Sequence, residues 1–356
     1  MQSVPEESLP PVSGTCLVTG GAGFVGSHLV ASLLQLGAEV TVMDNFSYGS
    51  RHRMESMAKG HEERLHLLSG SLESLEDCVE ACQDIHTVFH YASTGNSPSS
   101  FEEPFSSCQA NVEGSLNLLW AAWKQGVHKF VQASSSSVYG DDSSIPMVED
   151  RTGRPQSPYA LSRYVAELYG DLFWRKYHLP TITLRYFNVY GPGQLWAEQG
   201  PAVVTCMLSY LLQGQSPPIY GNGEQSRDFV YIDDAVSANF LAAASRRGGV
   251  YNVGSGERYT INEIYEECLS VLKNLGQKII APPPHYLPQR FGEVNHGLAH
   301  MGRASQELGY KPTITMSEGL HRTASWLLSL SQDERDLIYA HYLDAIATPW
   351  GREANE

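Results

Sequence analysis

Thr15-Cys16-Leu17-Val18-Thr19 is a short β-rich apolar run, and glycines follow it at once at Gly20, Gly21, Gly23 and Gly26. From Phe24 to Leu34, apolar residues at 25, 29, 30, 33 and 34 keep the spacing of one helix face. Strand, glycine turn, helix: this order constrains the chain more than any other feature. Small residues at Gly20, Gly23 and Gly26 let the backbone approach a pyrophosphate, whose charge rests on the helix N-terminus. A second strand, Glu39 to Met43, ends in Asp44, 18 residues beyond Gly26. A carboxylate there accepts from a ribose 2′-hydroxyl and repels a 2′-phosphate. The spacing therefore predicts NAD as cofactor. Arg51 and Arg53, close behind, are the features that favour NADP instead.

Further strands are expected at Leu65 to Leu68, Thr87 to Tyr91, Lys129 to Ala133 and Thr181 to Arg185, with helices over roughly 74–82, 104–125 and 158–177. Alternating strands and helices predict an α/β chain with a Rossmann-type, doubly wound parallel sheet. Beyond about residue 187, Gly and Pro cluster at 191–193, 200–201, 214–223 and 248–256. That texture predicts a smaller, loop-rich C-terminal α/β substrate domain. The expected boundaries are a polar tail at 1–13, the nucleotide domain at 14–186, the substrate domain at 187–330 and a helical tail at 331–356. A strand near 229–252 is expected to return to the first domain.

With 24 Lys+Arg against 39 Asp+Glu, the net charge is −15. That opposes nonspecific binding to nucleic acid or to an anionic membrane. No apolar run reaches the ~18 residues of a membrane helix. Met1 to Ser13 lacks a basic start and an apolar stretch, so it reads as a tail and not a signal peptide. The six cysteines show no CxxC spacing. Cys78 and Cys82 lie one helical turn apart, without the His or acidic pair that would complete a metal set. Buried, reduced thiols in a cytoplasmic protein, with no metal, are expected.

Motifs further along carry a resemblance. They include Val88-Phe89-His90-Tyr91-Ala92, Asn111-Val112-Glu113-Gly114, Ser134-Ser135-Ser136-Ser137-Val138-Tyr139-Gly140, Ser157-Pro158-Tyr159, Arg185-Tyr186-Phe187-Asn188-Val189-Tyr190-Gly191-Pro192 and Gly223-Glu224-Gln225-Ser226-Arg227-Asp228-Phe229. Tyr251-Asn252-Val253-Gly254 and Arg290-Phe291-Gly292-Glu293 extend the set. Over about residues 14–325 the chain resembles an extended short-chain dehydrogenase/reductase of the NAD-dependent epimerase/dehydratase family. Within that family it is most similar to 4-epimerases of UDP-N-acetylglucosamine and UDP-glucose.

The resemblance implies roles. Tyr159 is the base, Ser135 bonds the same oxygen, and Arg163 stands where relatives carry lysine. NAD would meet Gly20, Gly23, Phe24, Val25, Gly26, Asp44, Asn45, Ser71, Leu72, Tyr91, Ala92, Asn111, Ser134, Tyr159, Arg163, Tyr186 and Phe187. A UDP-sugar would meet Gly95, Ser135, Ser136, Ser137, Tyr159, Asn188, Ala202, Val203, Arg227, Arg290, Glu293 and Gly297. Arg227 and Arg290 would clamp the diphosphate, because guanidinium forks suit phosphate oxygens. A homodimer through the helices near 104–125 and 158–177 is also implied. Leu116, Leu119, Trp120, Trp123, Leu161, Val165 and Leu168 supply its apolar faces.

Epimerisation at a sugar C4 needs a base for the hydroxyl proton. A phenol of ordinary pKa, near 10, is a weak base at neutral pH, and bringing one down by ~3 units takes ~4 kcal/mol of phenolate stabilisation. A cation at i+4 shares the tyrosine's helix face. Arg163 keeps charge and spacing but is bulkier, planar and forked. Turnover, binding without turnover, and a site rebuilt for another reaction all remain open. Related dehydratases carry Asp-Glu at the places of Ser136 and Ser137, and decarboxylases Glu at Ser137. The serines therefore point to hydride removal and return. Uronate epimerase, decarboxylase and dehydratase stay as alternatives, as does a silent binder. Gly297 stands where glucose-restricted relatives put an aromatic, which implies room for a 2-N-acetyl group. Ser71 departs from a usual Asp beside the adenine, His300 from a common Asp, and Ser97 and Ser99 from Val and Arg.

Overall fold

The computed structural model describes residues 12, 14–97, 99–140, 142, 144–195, 202–280, 283–289 and 295–347. Among the described residues twelve strands are numbered in chain order. Six build the nucleotide half: β1 Thr15–Thr19, β2 Glu39–Asp44, β3 Leu65–Ser69, β4 Thr87–His90, β5 Lys129–Ser135 and β6 Thr181–Tyr186. Then come β7 Asn188–Tyr190, β8 Pro218–Tyr220, β9 Ser226–Tyr231, β10 Gly249–Val253, β11 Arg258–Thr260 and β12 His285–Leu287. The main sheet has the order β10-β6-β5-β4-β1-β2-β3, and its pairings are parallel. The Rossmann-type expectation holds. The chain reverses direction between β1 and β4, where open α/β sheets bind ligands beyond the strand carboxyl ends.

Successive β1 residues face opposite layers, as the two-residue strand period requires. Cys16 and Val18 point into one apolar cluster, with Leu29, Val30, Leu33 and Leu34 of helix Phe24–Gln35. Leu17 points into another, with Leu118 and Leu119 of helix Gly114–Lys124. Both sheet faces are thus covered by helices. Leu119, expected on a dimer face, is core instead: it is fully buried against the sheet.

The region after residue 187 is richer in structure than its glycines and prolines predict. Helices Val203–Leu212, Ile232–Ala244, Ile261–Asn274, Gly302–Leu308 and Met316–Ser329 fill it, and helix Gln332–Ala347 follows. Val203–Leu212 is buried along nearly its whole length, so it shows no amphipathic period. The first apolar cluster runs without a break from Leu29 to Tyr342. The later elements therefore share the core of the nucleotide half. β10 pairs in register with β6, from Gly249 opposite Ile182 to Val253 opposite Tyr186.

Five cysteines are buried, and Cys108 is exposed, against the expectation of uniformly buried thiols. Burial pushes the Cys16, Cys78 and Cys82 thiols up to about 12, which keeps them inert. Among the described residues no group of His, Cys, Asp or Glu is arranged to hold a metal, and no helix is long and apolar enough to cross a membrane.

Candidate active site

The strand ends of β1, β2, β4, β5 and β6 open into a cavity of about 660 Å³. That falls within the usual range of small-molecule sites, ~300–1,000 Å³. Its nucleotide end begins at the turn after β1. Gly20 has φ +67°, and a Cβ there would stand 2.6 Å from the Ala92 backbone nitrogen. At Gly26 a Cβ would meet the Gly20 carbonyl oxygen at 2.2 Å. Only glycine fits either place. Helix Phe24–Gln35 starts at Gly23 with no side chain capping it and no acid in its first turn. Its free N–H groups and partial positive charge are left for an anion.

Asp44 is nearly buried. One carboxylate oxygen accepts from Ala22 N at 3.0 Å and the other from Phe46 N at 2.8 Å. Both oxygens keep lone pairs for ribose hydroxyls. The NADP alternative loses its main support here. Arg53 is turned inward and donates to Ser27 Oγ and the Gly193 carbonyl. Arg51 lies over the Phe46 ring, 3.9 Å from its centroid. These residues fit a dinucleotide with a free 2′-hydroxyl.

The reacting end lies at β5 and the helix Pro158–Leu172. That helix starts cleanly: Pro158 occupies the first turn, and Ser157 caps it by accepting from Ala160 N at 3.1 Å. Tyr159 therefore sits in the first turn and faces the cavity. Arg163, one turn on, is 5% exposed. Its Nε donates to the Tyr159 hydroxyl oxygen at 3.4 Å, Nη2 to Ser93 Oγ at 2.8 Å and Nη1 to the Ala133 carbonyl at 3.4 Å. The positive charge also reaches His90. Burial first, and Arg163 second, push that imidazole down to about 3, so it stays neutral between Thr19 and Ser115.

Other tyrosines line the same cavity. Tyr91 and Tyr186 bond each other and Asn239, and burial pushes both hydroxyls up. Burial does the same to Tyr190. These three are held protonated. Tyr159, by contrast, is only half-buried, and a guanidinium donates to its oxygen.

Most of the expected site residues line this one cavity. They are Gly20, Gly23, Phe24, Val25, Gly26, Asp44, Asn45, Ser71, Leu72, Tyr91, Ala92, Ser134 to Ser137, Tyr159, Arg163, Tyr186, Phe187, Asn188, Ala202, Val203, Arg227 and Gly297. Two do not. Asn111 is wholly buried, in a π-helical stretch Gln109–Glu113 between helical segments. Its amide serves Thr94 N, Thr94 O and Ser162 Oγ, which fixes the loop after β4 to the Tyr159 helix. Gly95, with φ +80°, turns away, and a Cβ there would meet Ser107 Oγ at 2.9 Å. Thr94, Asn96 and Ser97 face the cavity in its place. Arg290 and Glu293 lie outside the described residues.

Supporting groups were not evident from sequence. Glu167 accepts from Ser134 Oγ and pairs with Arg185, both partners nearly solvent-free. The pair lies directly behind the serine strand. Asp228 is fully buried and accepts from Ser255 N, Gly256 N and Ala299 N, which fixes the stretch beside Gly297. Arg227 donates to the Ser226 and Asn295 carbonyls. Spacing of four from Arg163 to Glu167 was the one available signal, since both share a helix face.

Comparison with known proteins agrees with this geometry. Residues 16–254 match the model of the NAD dependent epimerase/dehydratase family. A UDP-glucose 4-epimerase of Mycolicibacterium smegmatis is 32% identical over 89% of this chain and 99% of its own. A UDP-N-acetyl-alpha-D-glucosaminuronate decarboxylase of Bacillus cytotoxicus is 30% identical over 89% and 99%. The solved UDP-N-acetylglucosamine 4-epimerase of Methanobrevibacter ruminantium, in complex with UDP-N-acetylmuramic acid, is 36% identical over 89% and 99%, with a TM-score of 0.82.

Proposed function

The chain belongs to the NAD dependent epimerase/dehydratase family, and we propose that it is a 4-epimerase of UDP-N-acetylhexosamines and UDP-hexoses. Tyr159 is the base, because it is a cavity tyrosine with a guanidinium donating to its oxygen while Tyr91, Tyr186 and Tyr190 are held protonated. That contrast carries the reading. NAD, held at the glycine turn and Asp44, would supply a reversible hydride acceptor for the sugar C4. Tyr159 takes the proton from the C4 hydroxyl and later gives it back. Ser135 donates to the same oxygen. Arg163 stabilises the phenolate that forms. The flat 4-keto sugar must turn over between the two transfers, so the sugar end needs room and weak contacts.

Two features support epimerisation over water expulsion or decarboxylation. Ser136 and Ser137 carry no acid. The acids among the described lining residues are Asp44 and Glu73, at the nucleotide end. Asp44 ends β2, three strands from β5 in the sheet order, which at ~4.8 Å per strand is about 14 Å away. Among the described residues, a Cβ at Gly297 would find only Arg227 Cδ, at 4.0 Å. This open space supports acceptance of a 2-N-acetyl group. Arg227, with Arg290 and Glu293, would hold the UDP moiety.

A second reading, binding without turnover, is favoured by the close bond that commits Arg163 Nη2 to Ser93. Proton NMR of UDP-GlcNAc with the protein and NAD separates the two. Formation of UDP-GalNAc, lost in Tyr159→Phe, supports the epimerase. Unchanged UDP-GlcNAc and UDP-Glc sink it.

A homodimer is part of the proposal. Phe105 is 80% exposed, and Leu161 and Leu168 are each 52% exposed on the two adjoining helices. Sedimentation that finds only monomer at micromolar concentration would count against it.

A further inference from the structure

Arg163 is held by contacts beyond Tyr159, and those contacts decide where its charge points. Its side chain meets three segments at once: Nε reaches Tyr159 on its own helix, Nη1 the Ala133 carbonyl of β5, and Nη2 the Ser93 hydroxyl in the loop after β4. The Ser93 bond is the shortest, at 2.8 Å against 3.4 Å for each of the others. A guanidinium is a rigid planar fork. Fixing two of its nitrogens therefore sets where the third points. With Nη2 on Ser93 and Nη1 on Ala133, Nε is left toward the phenol oxygen.

Ser93 can set that plane because the backbone on both sides of it is anchored. Before it, Tyr91 N donates to the Thr19 carbonyl at 3.0 Å and Ala92 N to Thr19 Oγ1 at 3.3 Å. After it, Thr94 N donates to Asn111 Oδ1 at 2.8 Å, and the Thr94 carbonyl accepts from Asn111 Nδ2 at 3.0 Å. The same Nδ2 donates to Ser162 Oγ, next to Arg163 on the helix. Asn111 thus holds loop and helix together beside the Ser93–Arg163 bond. A lysine would need no such partner, since an ammonium is a compact point charge whose donors rotate. Dependence on Ser93 belongs to an arginine at this place.

We propose that Ser93 is a positioning residue for Arg163, turning the guanidinium so that Nε serves the Tyr159 oxygen as its proton leaves. The catalytic half of this statement rests on the epimerase-type reading of the site. Ser93 acts through Arg163, and its loss lets the guanidinium swing while the charge stays in place. The titratable groups set around that charge are Tyr159, His90 and, one turn further along the helix, Glu167. His90 stays neutral and Glu167 is paired with Arg185. A change near neutral pH therefore reports on Tyr159.

The test compares wild type, Ser93→Ala, Ser93→Thr, Arg163→Lys and the double variant Ser93→Ala/Arg163→Lys, each saturated with NAD. Two quantities are read: the pH profile of kcat for UDP-GlcNAc, and the near-ultraviolet tyrosinate absorbance that disappears in Tyr159→Phe, followed against pH. In Ser93→Ala we expect kcat to fall about tenfold at pH 7.5, and both the acid limb of the profile and the absorbance midpoint to move up by about one pH unit. Ser93→Thr keeps a hydroxyl and should restore most of both. In the Arg163→Lys background, removing the Ser93 hydroxyl should change kcat by less than about twofold. A fall of the same size in both backgrounds, with no movement in pH, would show a merely structural serine and overturn the proposal. A rise in kcat in Ser93→Ala would overturn it too, because the bond would then be drawing the guanidinium away from Tyr159. A wild type that binds NAD and ignores UDP-sugars refutes the reading of the reaction, while the absorbance titration still decides whether Ser93 directs the guanidinium.

Discussion

Replacing Arg163 by Gln tests the central electrostatic argument. The guanidinium Nε stands 3.4 Å from the Tyr159 oxygen. At an effective dielectric of ~20, unit charges at that separation attract by about 5 kcal/mol. The charge is shared over three nitrogens, and only one is that close, so about 3 kcal/mol is a fairer share. Losing it from the phenolate-forming step predicts a fall in kcat of roughly 10²-fold. Arg163→Lys keeps a cation on the same face and gives up the long reach to Ser93 and Ala133. Its kcat should stay within about tenfold of wild type. The assay is initial-rate proton NMR of UDP-GlcNAc turnover at pH 7.5, with NAD and substrate saturating so that kcat is read alone. Thermal unfolding of each variant checks that the fold survives. A well-folded Gln variant that turns over within about threefold of wild type would refute the reasoning, because the phenolate would then draw its stability from elsewhere.

Four further outcomes follow from the same structure. Glu167→Gln strands the buried Arg185 charge, so urea unfolding should show a loss of about 3–5 kcal/mol, whereas a loss below ~1 would mean that water reaches the pair. Gly26→Ala forces a Cβ to 2.2 Å from the Gly20 oxygen, and titration should show NAD affinity down by at least about tenfold, since the diphosphate turn must open. Gly297→Tyr points a ring into open space and should suppress UDP-GlcNAc turnover while sparing UDP-Glc, read by paired NMR assays. His90 is held near 3 and His28 near 4, both chiefly by burial. Their unfolded values lie near 6.5, so the unfolded chain binds more protons below that pH and stability falls as pH drops. Each histidine contributes a slope of up to about 1.4 kcal/mol per pH unit between roughly 6.5 and its folded value. Denaturation midpoints at pH 7, 6 and 5 measure this, and His90→Asn should flatten the decline.

Features whose partners are near in sequence were legible. The glycine turn reads directly because Gly20 and Gly26 touch each other six residues apart. Tyr159 and Arg163 meet because one helical turn joins them. Strand-length apolar runs marked the first six strands of the sheet to within a residue or two. Helix Ile261–Asn274 carried a readable signal as well, a capping box between Thr260 and Glu263, yet it was hidden among glycine and proline punctuation. Helix Val203–Leu212 carried no such signal, since burial on all sides removes the polar face that a period needs.

Other assignments depended on which segments meet across the fold. Asn111 reads as a cofactor contact until its amide is seen holding Thr94 and Ser162. Arg53 reads as a phosphate ligand until it is seen turned toward Gly193, 140 residues away. Tyr159 stands apart from Tyr91, Tyr186 and Tyr190 only once the fold shows those three buried and Tyr159 beside a guanidinium. Sequence by itself determined the nucleotide turn, the strand segments of the main sheet and the Tyr159–Arg163 pair, since each is set within a turn or a strand. Tertiary structure decided which polar side chains face the cavity and which are consumed in holding its walls. Burial and hydrogen-bond partners belong to contacts between distant segments, and no local spacing encodes them.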